Sequence, residues 1–260
     1  MRIGKQDNPY TAISTSDAHS ITVRGKDLCS ELIGEMGFTD YFYFLLTGEK
    51  ATDNQRFFID AVLLAIAEHG LVPSVQAARM TYAAAPDALQ GAVAAGILGC
   101  GSVVLGSTEA CGVFLAGLLK RVKEEGISHE TAALDGLRAL RASKKAIPGY
   151  GHPQHSSGDP RSDRLLSLAK QKGISGEHIH MLHVVEQAIP EVVGKNLPIN
   201  VSGAIPSVML DVGFPIHALK GIPILARTAS LIAHLNEEAT RPIGFMMSGF
   251  AAQGIQYDGK

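Results

Sequence analysis

The long apolar run from Ala88 to Gly106 sets the first constraint on this fold. Gly91, Gly96, Gly99, Gly101 and Gly106 interrupt it, and no basic or aromatic anchors flank it. A membrane-spanning helix needs about 20 predominantly apolar residues and usually carries such anchors. The run reads instead as a buried helix whose small residues let another backbone approach closely. No membrane association is expected.

The flanking segments carry the helices that would bury it. Thr52 and Asp53 can cap a helix running to His69, with Gly70 as its stop. Phe57, Phe58, Val62, Leu63, Leu64 and Ile66 cover most of its faces, so it is expected to be buried nearly all round. Ser74 can cap the next helix, to about Ala84, and Pro86-Asp87 opens the small-residue helix. Further helices fit Thr108 to Glu125, stopped by Gly126, and Ser128 to about Arg141. Asp159-Pro160 is a cap followed by proline at the first helical position, with Gly173 closing that helix. A last one fits Ile222 to Glu238, its Pro223 tolerated in the first turn. Alternating strand patterns are scarce, Ser20 to Arg24 being the only fair candidate. The chain reads as all-α.

Composition narrows the function classes. Apolar residues make up 46% of 260 and charged ones 18%, enough for a large core and against disorder. A formal charge of −2 argues against a nucleic-acid binder, which needs a basic stripe. Cys29, Cys100 and Cys111 show neither metal nor redox spacing, which fits reduced thiols in the cytoplasm. The N-terminal MRIGKQDNPY has no apolar stretch after its charges and does not read as a secretory signal.

The most chemical segment is the polar loop Pro148-Gly149-Tyr150-Gly151-His152, continuing to Asp159-Pro160-Arg161. Its glycines let backbone approach a ligand. His152 can donate a hydrogen bond or shuttle a proton near neutral pH, and Arg161 can grip a carboxylate bidentately. The same residues also fit an ordinary surface turn followed by a capped helix.

This segment resembles the citrate synthase signature, a proline-glycine-aromatic-glycine-histidine loop followed by aspartate-proline-arginine. Other pieces follow in the family's order: Ile21 to Gly48, then Glu68-His69-Gly70 at a helix end, Asn200-Val201 with Gly203, Ala226-Arg227 through His234, and Arg241-Pro242. The likeness runs from about residue 20 to 245. The short chain is most similar to the citryl-CoA lyase branch, including the C-terminal domain of ATP-citrate lyase.

The resemblance implies a large helical domain of residues 1–104 and 208–260, a small one of 105–207, and an active-site cleft between them. It implies a homodimer, and the helices at 53–69 and 86–105 are expected in its interface because both look buried and the second is built of small residues. His69 and His152 would bind the oxaloacetate moiety, with His152 handling the hydroxyl proton. Arg161, Arg227 and Arg241 would hold carboxylates, Arg241 in the partner's site. Gly149, Tyr150 and Gly151 would lie against coenzyme A, the acyl carrier, and Arg141, Lys144 and Lys145 near its phosphates. The substrates implied are a polycarboxylate and a coenzyme A thioester, with no metal. A basic run such as 141–145 also fits a solvated face.

Two positions depart from the pattern. Val104 or Leu105 stands where citrate synthases keep an enol-stabilising histidine, which citryl-CoA lyases also lack. Ser202 stands where both branches keep an aspartate that moves the proton at the acetyl carbon. Losing a positioned base typically costs about a hundredfold to ten-thousandfold. Asp159 and His155 are the candidate substitutes. The expected activity is cleavage of citryl-CoA or a related 3-hydroxy acyl-CoA, or the reverse condensation. A silent homologue that senses the same ligands is the alternative. His178, His180 and His183 form a rival, metal-like cluster, but on a helix His178 and His180 face different ways.

Overall fold

The computed structural model describes residues 10–101, 105–151 and 158–259. The chain falls into two compact units, 1–60 and 61–260.

The first unit opens with a small antiparallel sheet: β1 (Ser14–Ser16), β2 (Ile21–Val23) and β3 (Lys26–Asp27), in that order. β2 is the core of the expected strand, with Thr22 opposite both Thr15 and Asp27. A π-helical turn, Leu28–Leu32, and helix α1 (Phe38–Thr47) follow, and Val23, Leu32 and Phe44 form the local core.

Helix α2 (Asp53–Ala67) crosses into the second unit and stops two residues short of the expected His69. The reason lies at Glu68. The Glu68 carboxylate turns back to accept the N–H groups of His69 (2.8 Å) and Gly70 (2.6 Å), and Gly70 takes φ +72°. Leu64 is 80% exposed, so α2 is not buried on every side.

Helix α3 (Pro73–Ala84) starts on a proline. Ser74 is not its cap; Val72 holds that position. The small-residue helix, α4, is shorter than expected, Leu89–Leu98, ending on Gly99. Its small residues do the job assigned to them. A Cβ on Gly96 would lie 2.6 Å from the Leu231 side chain and 2.8 Å from the Ser74 carbonyl. Beyond it Leu105 holds φ +70°, a costly conformation for a branched side chain. No described helix is long and apolar enough to cross a membrane.

Helices α5 (Ser107–Glu125), α6 (His129–Ala142) and α7 (Pro160–Gln171) follow the cap and stop signals, with Ser128 and Asp159 as side-chain caps. α8 (Glu177–Val193) and α9 (Val201–Asp211) carry internal Pro190 and Pro206. α10 (Gly221–Thr240) and α11 (Gly244–Gly254) complete the chain. α5, α6, α8 and α9 pack around Leu115, Leu137, Met181, Leu182 and Ile189. α3, α4 and α10 share a second core of Val75, Ala78, Ala92, Leu231 and Leu235, with α11 against α3.

The second core also holds a buried ion pair. Arg79 Nε donates to Glu238 at 2.6 Å, with both side chains almost fully buried. Burial pushes the Glu238 carboxyl upward, but Arg79 and the N–H groups of Gly244 and Ile243 outweigh it and hold it below the usual range. Arg79→Met would strand a buried carboxylate. It should destabilise the protein by about 3–5 kcal/mol in urea unfolding at neutral pH.

Candidate active site

The polar centre of the second unit starts on α10. Arg227, Ser230 and His234 fall at i, i+3 and i+7, on one face of that helix. Arg227 is 2% exposed, and its Nε and Nη1 find no acceptor among the described residues. Buried cations are normally paired, because desolvation is costly. Each of these N–H groups can donate to an anionic oxygen such as that of a carboxylate. Ser230 and His234 carry the Glu68 carboxylate that shapes the turn at His69.

The glycine loop is built as a clasp. Gly151 N–H donates to the Pro198 carbonyl (2.8 Å), Asn200 N–H to Gly149 O (3.0 Å), and Asn200 Nδ2 to Gly151 O (2.6 Å). Tyr150 pairs with Ile199 across an isolated antiparallel bridge, and its buried hydroxyl donates to the Leu182 carbonyl. Burial raises the phenol well above its usual pKa, so Tyr150 acts as an anchor. Gly149 holds φ +89°, and a Cβ there would meet Cys111 Sγ at 2.6 Å. A Cβ on Gly203 would meet Gly149 O at 2.6 Å, so glycine on both sides sets how closely the loop meets α9.

Asp159 ties this clasp to the arginine. Its carboxylate accepts from Arg161 N–H, Nε and Nη2 and from Val201 N–H, all at 2.9–3.1 Å. Burial would raise its pKa, but Arg161 and the backbone donors hold it below the usual carboxylate value. The Asp159 carboxylate is thus committed to Arg161 and to the first turn of α9. Arg161 is half-buried, with one edge of its guanidinium committed to Asp159. Ser202 sits in the first turn of α9, whose cap is Asn200 (Ser202 N–H to Oδ1, 2.9 Å). Its hydroxyl accepts from Ser107 Oγ, in the first turn of α5, at 2.8 Å.

The other candidates scatter. His152, His155 and Val104 lie outside the described residues. Arg241 has an 80% exposed side chain, which among the described residues reaches Glu237 at 3.5 Å. Arg141, Lys144 and Lys145 are exposed at the end of α6, where Lys144 holds φ +54°. His178, His180 and His183 turn to different partners: Asp211 (2.9 Å), the His129 ring and Glu186 (3.6 Å). Glu68, His234 and Ser107 were not singled out as site residues. The spacing from Arg227 could have flagged His234; nothing local flags Ser107.

The fold is helical, with an arginine on α10 that is buried and unpaired among the described residues, and a glycine clasp that joins the 149–151 loop to α9. The family described as citrate synthase, C-terminal domain, matches residues 10–243. The chain belongs to the citrate synthase family. It is 32% identical to the citryl-CoA lyase of Hydrogenobacter thermophilus, covering 100% of this chain and 96% of that one, with a TM-score of 0.82. The ATP citrate lyase of Methanothrix soehngenii, solved with citrate and coenzyme A, shares the fold (TM-score 0.74, 23% identity, 99% of this chain, 43% of that one). Citrate synthase 2 of Bacillus subtilis is 27% identical over 207 residues, 78% of this chain. The chain spans about half the length of that curated relative, 53%.

Arg227→Met removes a charge that the protein leaves unpaired. It should raise or preserve the melting temperature, measured by thermal unfolding. A second outcome concerns acid. The Asp159 pKa is lowered by folding, so its contribution is full above the unfolded value of about 3.9 and is lost as pH falls below it. The stability gap between wild type and Asp159→Asn should therefore close as urea unfolding is moved from neutral pH to about pH 3.

Proposed function

We propose that the protein is a citryl-CoA lyase-type carbon–carbon lyase, cleaving citryl-CoA or a related 3-hydroxy acyl-CoA to acetyl-CoA and oxaloacetate, or running the reverse condensation. The observation that carries the reading is the likeness to a citryl-CoA lyase over nearly the whole length of both chains. The buried, unpaired Arg227 supports a carboxylate ligand.

Arg227, Arg161 and His69 would bind the oxaloacetate portion. His152 would take the hydroxyl proton as the carbinol becomes a ketone. The bond between that carbon and the acetyl carbon breaks, and its electron pair passes to the thioester as an enolate. A proton then returns to the acetyl carbon to give acetyl-CoA. Ser202 would hold the water that delivers it. The clasp at Gly149, Tyr150 and Gly151 would face coenzyme A, with Lys144 and Lys145 near its phosphates.

The site would lie between a large domain (1–104 and 208–260) and a small one (105–207). The separate cores of α3, α4 and α10 and of α5, α6, α8 and α9 support that division. The exposed Leu98, Phe245 and Phe250 support a homodimer, with Arg241 reaching the partner's site. The free thiols of Cys29, Cys100 and Cys111 support a cytoplasmic setting.

A second reading rests on one contact. Ser202 is hydrogen-bonded to Ser107, and neither is a base at neutral pH. A catalytically silent protein that binds a polycarboxylate or acyl-CoA would keep the arginines and tolerate that pair. Two assays separate the readings: oxaloacetate formation from citryl-CoA, and free thiol release from acetyl-CoA with oxaloacetate. Slow cleavage and negligible condensation are expected. Condensation at about 1–1000 per second would show that another residue supplies the base. If Ser202→Asp creates cleavage in an otherwise inactive protein, the sensor reading gains.

A further inference from the structure

We infer that His234, together with Ser230, is a positioning residue: by gripping Glu68 from α10 it fixes where His69 stands relative to Arg227. The inference rests on the polycarboxylate reading above.

The turn that carries His69 is not held by its own helix. α2 ends at Ala67, and the next two N–H groups go to the Glu68 carboxylate through Oε1, at 2.8 Å for His69 and 2.6 Å for Gly70. The path of the backbone at His69 therefore depends on where that carboxylate lies. α10 decides it. Oε2 accepts from Ser230 Oγ at 2.6 Å and bonds to His234 Nε2 at 2.9 Å. One carboxylate thus bridges two elements, each oxygen serving one of them.

The tautomer of His234 follows from its neighbours. Its Nδ1 lies 3.4 Å from Arg79 Nη1, a group that can only donate. Nδ1 must accept, which leaves the proton on Nε2, directed at Glu68. Arg79 is itself immobilised by Glu238 (2.6 Å) and Glu237 (2.9 Å). The chain of contacts runs from a buried ion pair, through the His234 ring, to a carboxylate and then to the backbone of His69.

The geometry of α10 gives this chain its purpose. Arg227, Ser230 and His234 share one face, so one rigid helix carries both the unpaired guanidinium and the grip on Glu68. Closing a helix end needs only water or a left-handed glycine, and Gly70 is already one. A carboxylate held by two side chains from another helix does more: it sets the spacing between a histidine and an arginine. Groups meeting one ligand must hold productive geometry to within about 0.5 Å.

The test compares wild type, His234→Ala, His234→Gln and Ser230→Ala. Citrate affinity is measured by calorimetry, and amide exchange at His69 and Gly70 is measured without ligand. Melting temperature and circular dichroism establish that each variant is folded. Glutamine carries an N–H donor at the end of its side chain for Glu68 and an oxygen for Arg79. Expected is faster exchange at both amides in His234→Ala and a loss of citrate affinity of about tenfold or more. His234→Gln should recover most of both, and Ser230→Ala should show a smaller change in the same direction. Where cleavage is measurable, the effect should fall on KM more than on kcat.

Unchanged exchange and affinity in a folded His234→Ala protein would overturn the inference. So would a folded His234→Gln protein as impaired as alanine. If His234→Ala does not fold, Ser230→Ala decides by the same two readouts. A wild type that binds no citrate while the exchange pattern is as expected would refute the polycarboxylate reading and leave the positioning of His69 standing.

Discussion

The pairing of Arg79 with Glu238 is the interaction on which the second unit turns. It joins α3 to α10 inside the protein, and Glu238 also receives the first N–H groups of the turn into α11. Buried ion pairs are seldom a gain in stability over apolar packing. What this one supplies is a fixed direction. Arg79 presents its remaining N–H groups to His234, Glu237 and the Arg241 carbonyl, which sets the rotation of α10 about its axis. That rotation puts Arg227 and Ser230 on the inner face.

A second constraint acts on α9. The clasp between 149–151 and 198–203 is made by backbone hydrogen bonds and by two glycines that leave no room for a Cβ. Asp159 closes it from the side, capping α7 and bonding the first N–H of α9 with the same carboxylate. Arg161 is therefore held in the structure before any ligand arrives. One edge of its guanidinium is committed to Asp159, whereas Arg227 has two nitrogens, Nε and Nη1, with no acceptor among the described residues. That contrast makes Arg227 the cleaner probe of what the site binds.

Ser202 links two helices at their N-termini. The first turns of α5 and α9 meet through two hydroxyls, and Asp159 is tied up elsewhere. Helix N-termini favour negative charge.

Much of this was legible in the chain itself. Caps and stops are short-range chemistry, so Ser128, Asp159-Pro160 and Gly126 mark α5, α6 and α7 correctly. The glycines of the apolar run announced close packing, and Gly96 delivers it against Ser74 and Leu231. Motif order named Arg161, Arg227 and Ser202. Three features were out of reach. α2 ends at Ala67 because Glu68 is held from α10, a contact across more than 160 residues. α9 forms despite Pro206, since tertiary packing outweighs local propensity. Ser107 meets Ser202 only because two helix N-termini converge. The sequence by itself determined which segments coil and which residue types could grip a carboxylate, because those properties depend on near neighbours and side-chain chemistry. Only the tertiary structure decided which arginine is left unpaired and which acid is consumed in structure, because pairing and desolvation depend on groups the chain brings together from far apart.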